Sequence, residues 1–397
     1  MPEKVFVTGL GIISSIGIGK EQVIRSIQES KTGIGPNTTI ETIYKDEIPV
    51  GEIHFSQKEL IDLAGISKKT LSRTALLGII AAREAILQAG FKPDNHTGII
   101  SATSVGGMDK SENFYKEFLV NDKKGRLRDV VMHDCGSSTE TIAGELGIRG
   151  HISTISTACS SSANSIMMGV RLIRNGMADR IVAGGTDALT LFTINGFNSL
   201  MILDRQHCKP FDDERNGLNL GEGAAFVVLE SETAVRKERK KVLGEVKGYG
   251  NACDAFHQTA SSPEGDGAYL SMKKAMESAG LKPSDISYIN AHGTGTKNND
   301  LSESKAIERL FEGKVPPFSS TKSFTGHTLG AAGSIEAVLS ILALQNGWIY
   351  PNLNFRKPMN ETSIQPVTRF MQKKELKHIM SNSFGFGGNN TTLIFSK

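Results

Sequence analysis

The sequence predicts an α/β protein made of two similar halves, each a run of strand–helix units around a mainly parallel sheet, packed as one layered body. Two internal matches and one class of unusually apolar helix carry that expectation. Residues 81–100, AAREAILQAGFKPDNHTGII, and 271–290, SMKKAMESAGLKPSDISYIN, each read as a helix ending in Ala-Gly, followed by Lys-Pro, an Asp and an apolar strand. Glycine just past the last turn (Gly90, Gly280) with proline beyond it (Pro93, Pro283) is a helix stop. Residues 155–176, ISTACSSSANSIMMGVRLIRNG, and 326–347, GHTLGAAGSIEAVLSILALQNG, each pass through a turn of small residues into a helix that stops at Asn-Gly. RIVAGG (180–185) matches HIMSNS (378–383) in kind, and the halves open on KVFVTGLG at 4–11 and KVLGEVKGYG at 241–250. The helix holding Ile335, Ala337, Val338, Leu339, Ile341, Leu342 and Leu344 is apolar nearly all round, as expected of a helix sandwiched between layers. The division falls in the charged stretch Arg236–Lys241, which gives halves 1–240 and 241–397.

Composition narrows the function classes. A chain of 397 residues holds roughly two to three domain-sized units. With 39% hydrophobic and 22% charged residues, it is not a disordered chain. The balance of 45 Lys+Arg against 42 Asp+Glu is too even for general nucleic-acid binding. No run approaches the ~20 apolar residues of a membrane span. Met1-Pro2-Glu3-Lys4-Val5 leads straight into a strand with no secretory pattern. Cys135, Cys159, Cys208 and Cys253 show no CxxC spacing, so neither a zinc site nor a disulfide scaffold is expected, and a cytoplasmic enzyme is the default.

Two glycine motifs point weakly to nucleotides. Gly9-Leu10-Gly11 follows a strand, but Ser14 stands where a dinucleotide fingerprint needs its third glycine. The run Gly326–Ser334 lacks the Gly-Lys-Ser/Thr core of a phosphate loop. Cys159 is more informative. It lies in Ser156-Thr157-Ala158-Cys159-Ser160-Ser161-Ser162, between a strand and an apolar helix. A cysteine at a helix start feels the positive end of the helix dipole, which lowers its pKa. By itself this segment fits a nucleophile or a small buried hydrophobe equally. Two histidines shift the balance: Ala291-His292-Gly293-Thr294-Gly295-Thr296 follows an apolar strand, and Gly326-His327-Thr328-Leu329-Gly330 enters the second buried helix. If the halves are related by a pseudo-twofold, the turn at 326–333 faces the turn at 156–162. One sulfur and two imidazoles then share a site at the carboxyl ends of strands, where α/β sheets bind ligands. The loop Asn382-Ser383-Phe384-Gly385-Phe386-Gly387-Gly388-Asn389-Asn390 reads as a surface hairpin or as a mobile wall offering N–H groups to an oxyanion.

At these residues the sequence resembles the elongating β-ketoacyl-[acyl carrier protein] synthases, of the synthase II kind, on the thiolase fold. The resemblance runs in one order along nearly the whole chain. It rests on VTGLGIISSIG (7–17), STACSS (156–161), AGGTD (183–187), PFDDERNGLNLGEGA (210–224), DAFHQTASSPEGDG (254–267), AHGTGTKNNDLSE (291–303), Lys322, GHTLGAAG (326–333) and NSFGFGG (382–388). It implies a five-layered αβαβα body and a homodimer. It implies that Cys159 takes an acyl chain from a carrier-protein thioester. His292 and His327 then hold the malonyl thioester carbonyl through loss of CO2. Lys322 matches the family lysine, linked to Glu303, and Asp300 supports the same turn. The N–H groups of Cys159 and Phe386 would form the oxyanion hole, with Phe386 also a gate. Thr294, Thr296 and Thr259 match pantetheine contacts, and Val105 and Phe197 match the acyl pocket. Lys123 and Lys124 match a basic pair meeting the acidic carrier protein. Lys68, Lys69 and Arg73 are further candidates for that surface, and a solvated charged face is the alternative for all these lysines.

The implied chemistry, a decarboxylating condensation in fatty acid, polyketide or polyene synthesis, needs no metal or redox cofactor. A thiolate both attacks and leaves a thioester well. The developing enolate needs hydrogen-bond donors, which neutral imidazoles supply. The alternative on the same fold is a non-catalytic chain-length partner subunit, which typically lacks the cysteine. Two departures from the family pattern, Asn389 where threonine is usual and Lys297-Asn298-Asn299 in place of a Pro- and Gly-containing run, permit a specialised synthase.

Overall fold

The structure, a computed structural model, describes residues 3–67, 70–373 and 375–397. The first half contributes β1 (Val5–Ser14), β2 (Thr97–Ala102), β3 (Ile152–Ile155), β4 (Arg180–Asp187) and β5 (Gly223–Ser231), in the spatial order β1-β5-β4-β2-β3. The second half contributes β6 (Gly244–Cys253), β7 (Tyr288–Asn290), β8 (Phe318–Ser319), β9 (His378–Phe384) and β10 (Asn389–Ser396), in the same order, β6-β10-β9-β7-β8. The two orders superimpose strand for strand, as the internal matches require. The sheets join where β1 and β6 pair at Phe6–Glu245 and Val7–Gly244.

Strand direction departs in one respect from a mainly parallel sheet. β2 is parallel to β3 and β4, and β7 is parallel to β8 and β9. β5 and β10 are antiparallel to both their neighbours. Each sheet therefore has four strands running one way and one reversed strand second from the shared edge. Parallel neighbours need a long crossover, and the short 385–388 link between β9 and β10 allows only a hairpin.

The helices that frame the sheets and the site are α1 (Arg73–Ala89), α2 (Met108–Val120), α3 (Leu127–Val131), α4 (Cys135–Leu146), α5 (Ser161–Arg174), α6 (Leu191–Ser199), α7 (Asp266–Ala279), α8 (Lys297–Phe311), α9 (Lys322–Thr325) and α10 (Ala332–Asn346). α1 and α4 cover the outer face of the first sheet and α7 and α8 that of the second, while α5 and α10 pack together between the sheets. The result is a five-layered αβαβα body. α1 and α7 stop where the sequence signals a stop, with Gly90 and Gly280 in the left-handed conformation. The contiguous stretch Leu329–Asn346 does reach the length and hydropathy of a membrane span, against expectation, yet 89% of it is buried within the protein. Its position between two sheets accounts for its being apolar on every side.

The paired glycines belong to this packing. A Cβ on Gly9 or Gly11 would lie 2.1 or 1.9 Å from the carbonyl oxygen of Ala85 or Ala81 in α1. Gly248 and Gly250 of β6 meet the Ala275 and Ser271 carbonyls of α7 in the same way, at 2.4 and 2.1 Å. The motif that resembled a dinucleotide fingerprint is thus a helix laid directly on a strand, repeated once per half.

Candidate active site

Between β3 and α5 the chain makes a tight turn in which Ala158 adopts φ +52°. The turn is held by Ser161, whose Oγ accepts from Thr157 N at 2.8 Å. Cys159 sits two residues before the first turn of α5 and is 5% exposed. His292 follows β7 in a turn clamped from α8. Glu303 accepts from the N–H groups of His292 (2.9 Å) and Gly293 (2.8 Å). Asp300 accepts from Thr294 N (2.9 Å) and Phe211 N (2.7 Å). His327 follows α9, its N–H donating to Asn219 O at 2.7 Å.

These three turns converge. The Cys159 sulfur and one ring nitrogen each of His292 and His327 lie within 4.8 Å of one another. The two rings meet edge to face, 5.5 Å between centroids. Such a cluster could in principle grip a cation, but both Nδ1 atoms are already engaged. Lys322 Nζ stands 3.2 Å from His292 Nδ1, and Leu329 N donates to His327 Nδ1 at 3.0 Å. That places the ring protons on Nε2 and makes the pair hydrogen-bond donors toward the sulfur. Burial, and then the Lys322 charge, hold both imidazoles well below 6.5.

Lys322 is buried, and its partner differs from the expected one. It pairs with Glu336 of α10 and donates to the His292 carbonyl at 2.6 Å. Glu303 does not reach it, because its two oxygens are taken by the N–H groups of His292 and Gly293. Burial pushes Glu336 up to about 7, with Lys322 opposing the shift. Sequence reading missed Glu336, although a lone acid in an otherwise apolar helix is itself a signal.

The backbone N–H groups of Phe386 and Cys159 each favour the charged form of the thiol. Burial nevertheless pushes the Cys159 thiol up to about 11, outweighing Lys322 and these two donors. The resting thiol therefore does not have the lowered pKa expected of a helix-start cysteine. The Phe386 ring stacks on Phe197, with centroids 6.0 Å apart. A cavity of about 340 Å³ holds Cys159, His292 and His327 at its buried end, with Phe197, Phe386, Thr259, Thr294 and Thr296 along its walls. Val105 is not part of this lining. It packs into an apolar cluster with Ile194, Leu203 and Leu218, against which Phe197 also rests.

The expected carrier surface is only partly available. Lys123 and Lys124 stand exposed between α2 and α3. Lys68 and Lys69 lie outside the described residues. Arg73 is not a surface cation: its guanidinium is forked onto Glu222 at 2.6 and 2.8 Å and donates to the Ile53 and Phe55 carbonyls.

With this geometry in hand, comparison with known proteins is direct. The family models for the β-ketoacyl synthase N-terminal and C-terminal domains match residues 2–234 and 243–356. The chain is 34% identical over 411 residues to 3-oxoacyl-[acyl-carrier-protein] synthase 2 of Staphylococcus aureus (strain N315), covering 100% of this chain and 98% of that protein. It is 32% identical over 409 residues to Nodulation protein E of Rhizobium sp. (strain N33), covering 100% and 99%. Among solved structures, the ishigamide ketosynthase/chain length factor matches with a TM-score of 0.94 at 30% identity over 100% of both chains. A type II polyketide ketosynthase solved with its acyl-carrier protein, AntDE:AntF, matches with a TM-score of 0.89 at 26% identity, again over 100% of both.

Proposed function

The chain belongs to the β-ketoacyl synthase family, and we propose that it condenses an acyl chain with malonyl-acyl carrier protein to give 3-oxoacyl-acyl carrier protein and CO2. The observation that carries this reading is one sulfur facing two donor imidazoles at the closed end of a threonine-lined cavity. In the first half-reaction the Cys159 sulfur bonds to the acyl carbonyl. The carrier thioester C–S bond breaks and the thiol proton passes to the carrier sulfur. The N–H groups of Cys159 and Phe386 hold the tetrahedral oxyanion.

In the second half-reaction the malonyl thioester oxygen accepts from His292 and His327 Nε2–H. The bond to the carboxylate breaks, CO2 leaves, and its electron pair forms the enolate. The enolate carbon attacks the acyl-cysteine carbonyl, the new C–C bond forms, and the Cys159 C–S bond breaks. The sulfur then takes up the one proton the overall reaction consumes. Lys322, backed by Glu336, keeps the His292 Nδ1 face supplied with a donor. Glu303 and Asp300 hold the turn. Thr259, Thr294 and Thr296 contact the pantetheine arm, and Phe386, resting on Phe197, opens for the acyl chain. Lys123 and Lys124 meet the acidic carrier protein. An intact cysteine with both histidines favours the enzyme over a non-catalytic chain-length partner. Products of incubation with malonyl-carrier protein and acyl primers of graded length should gain two carbons and an oxo group by mass spectrometry. Primer and carrier recovered unchanged at every length would refute the assignment.

The division at 240/241 is supported by the matched strand orders, and a cytoplasmic location by four free cysteines. A homodimer is supported by the open edge of β3. Beside it in the chain, α2 and α3 leave Tyr115, Leu119, Val120, Leu127 and Val131 exposed, a density of apolar surface that monomers rarely carry. Pairing two β3 edges about a twofold would continue the first sheet across both protomers. Sedimentation should give twice 42.8 kDa. A monomer at micromolar concentration would refute the pairing.

A further inference from the structure

Asn389 opens β10, and its amide lies where the two segments that face Cys159 cross. Its Oδ1 accepts from Ser160 Oγ (2.8 Å), Asn164 Nδ2 (2.8 Å) and Asn251 Nδ2 (3.0 Å). Ser160 directly follows Cys159, and Asn164 lies at the start of α5. The Asn389 main-chain carbonyl accepts from Gly385 N at 2.9 Å and so closes the loop that carries Phe386. Gly385 itself is pressed against the nucleophile turn: a Cβ there would lie 2.8 Å from Thr157 O. One residue therefore grips the Cys159 turn with its side chain and the Phe386 loop with its backbone. Thr391 Oγ1 adds a longer contact to the same oxygen at 3.4 Å, so the Asn389 carbonyl oxygen serves as a shared acceptor for the cluster.

We propose that Asn389 is a positioning residue that sets the separation of the Cys159 and Phe386 N–H groups around the thioester carbonyl. The proposal rests on the condensing reading above. Oxyanion donors act over a narrow distance range, so slack between the two segments weakens the tetrahedral intermediate. CO2 release uses the two imidazoles instead and is held by a different set of contacts. The two half-reactions should therefore separate.

Single-turnover acylation from acyl-carrier protein and CO2 release from malonyl-carrier protein without primer test this together. Asn389→Ala should slow acylation on the order of 30- to 100-fold while CO2 release changes less than roughly threefold. Asn389→Asp keeps the acceptor and should restore acylation to within about threefold of the parent. Should Asn389→Ala fail to fold, Asn389→Leu, close in volume but with no acceptor, should still acylate about tenfold slower than Asn389→Asp. Unchanged acylation in the alanine variant, an equal loss in both half-reactions, or no rescue by aspartate would overturn the role. If the parent protein neither acylates nor releases CO2, the condensing reading fails, whatever Asn389 does.

Discussion

Cys159→Ala is expected to abolish condensation, with acyl transfer from a radiolabelled carrier protein falling at least about 10⁴-fold. No other cysteine lines the cavity, Cys135 beside Ser156 included. Cys208 is also buried, but its Sγ faces the Lys322 carbonyl at 3.9 Å and it does not line the cavity. Cys253 is exposed, beside Gly387. Retained transfer would remove the covalent intermediate on which the scheme depends. Cys159→Gln should behave differently, because its amide places a carbonyl where the acyl-cysteine carbonyl would be, within reach of the Cys159 and Phe386 N–H groups. The site then resembles its acylated state, and malonyl decarboxylation should persist or accelerate while condensation stays absent. A variant that folds but releases no CO2 would break the link between acylation and the second half-reaction. The raised thiol pKa fits the end of the cycle, when the departing sulfur must take up a proton. A thiol held up by burial also favours an attack in which charge develops on the carbonyl oxygen over one from a standing thiolate. The attack has to be driven by donors that stabilise the charge as it forms on the carbonyl oxygen.

Much of this arrangement was legible in the chain. Duplicated helix stops at Gly90 and Gly280, and the two Asn-Gly ends, are local signals, because a left-handed residue past a helix is a property of a few neighbouring atoms. The resemblance of 156–161, 291–296 and 326–333 to known motifs then named the sulfur and both histidines. What stayed hidden was pairing between distant residues. Lys322 could be singled out but not its partner, since Glu303 and Glu336 are equally plausible acids until the fold shows that Glu303 is spent on two N–H groups. Arg73 looked like a surface cation because nothing in its neighbourhood announces Glu222, 149 positions away. The Asn389 cluster joins three distant segments, at 160–164, 251 and 385–391, which no local spacing relates. The reversed strand β10 was missed because alternation of strands and helices reports crossovers, and a hairpin inside such a run leaves only a short link as its trace; β5 was missed because the link before it, 188–222, is long and holds α6, as a crossover would.

His292→Ala and His327→Ala should each cut CO2 release by on the order of 10²- to 10³-fold, as for the loss of one oxyanion donor, while acylation of Cys159 falls by less than about tenfold. The reverse order in single-turnover measurements would refute the role assignment. The pH dependence tests the same geometry without mutation. Both imidazoles are held well below 6.5 by burial and by Lys322, so the neutral, Nε2-donating form persists as the solution is acidified. CO2 release by the parent protein should then show no inflection near pH ~6.5, where a free histidine titrates. The sign for stability is opposite in effect: below that pH the unfolded chain binds protons that the folded site refuses, so stability falls as pH drops. Lys322→Met removes the cation beside His292 and leaves Glu336, already pushed up to about 7, free to hold a proton. The His292 pKa should rise, and CO2 release should acquire an acid limb that the parent lacks. A parent profile already bent near pH ~6.5 would mean that an imidazole is titrating in the working range. The second half-reaction would then need a base rather than the two donors placed there.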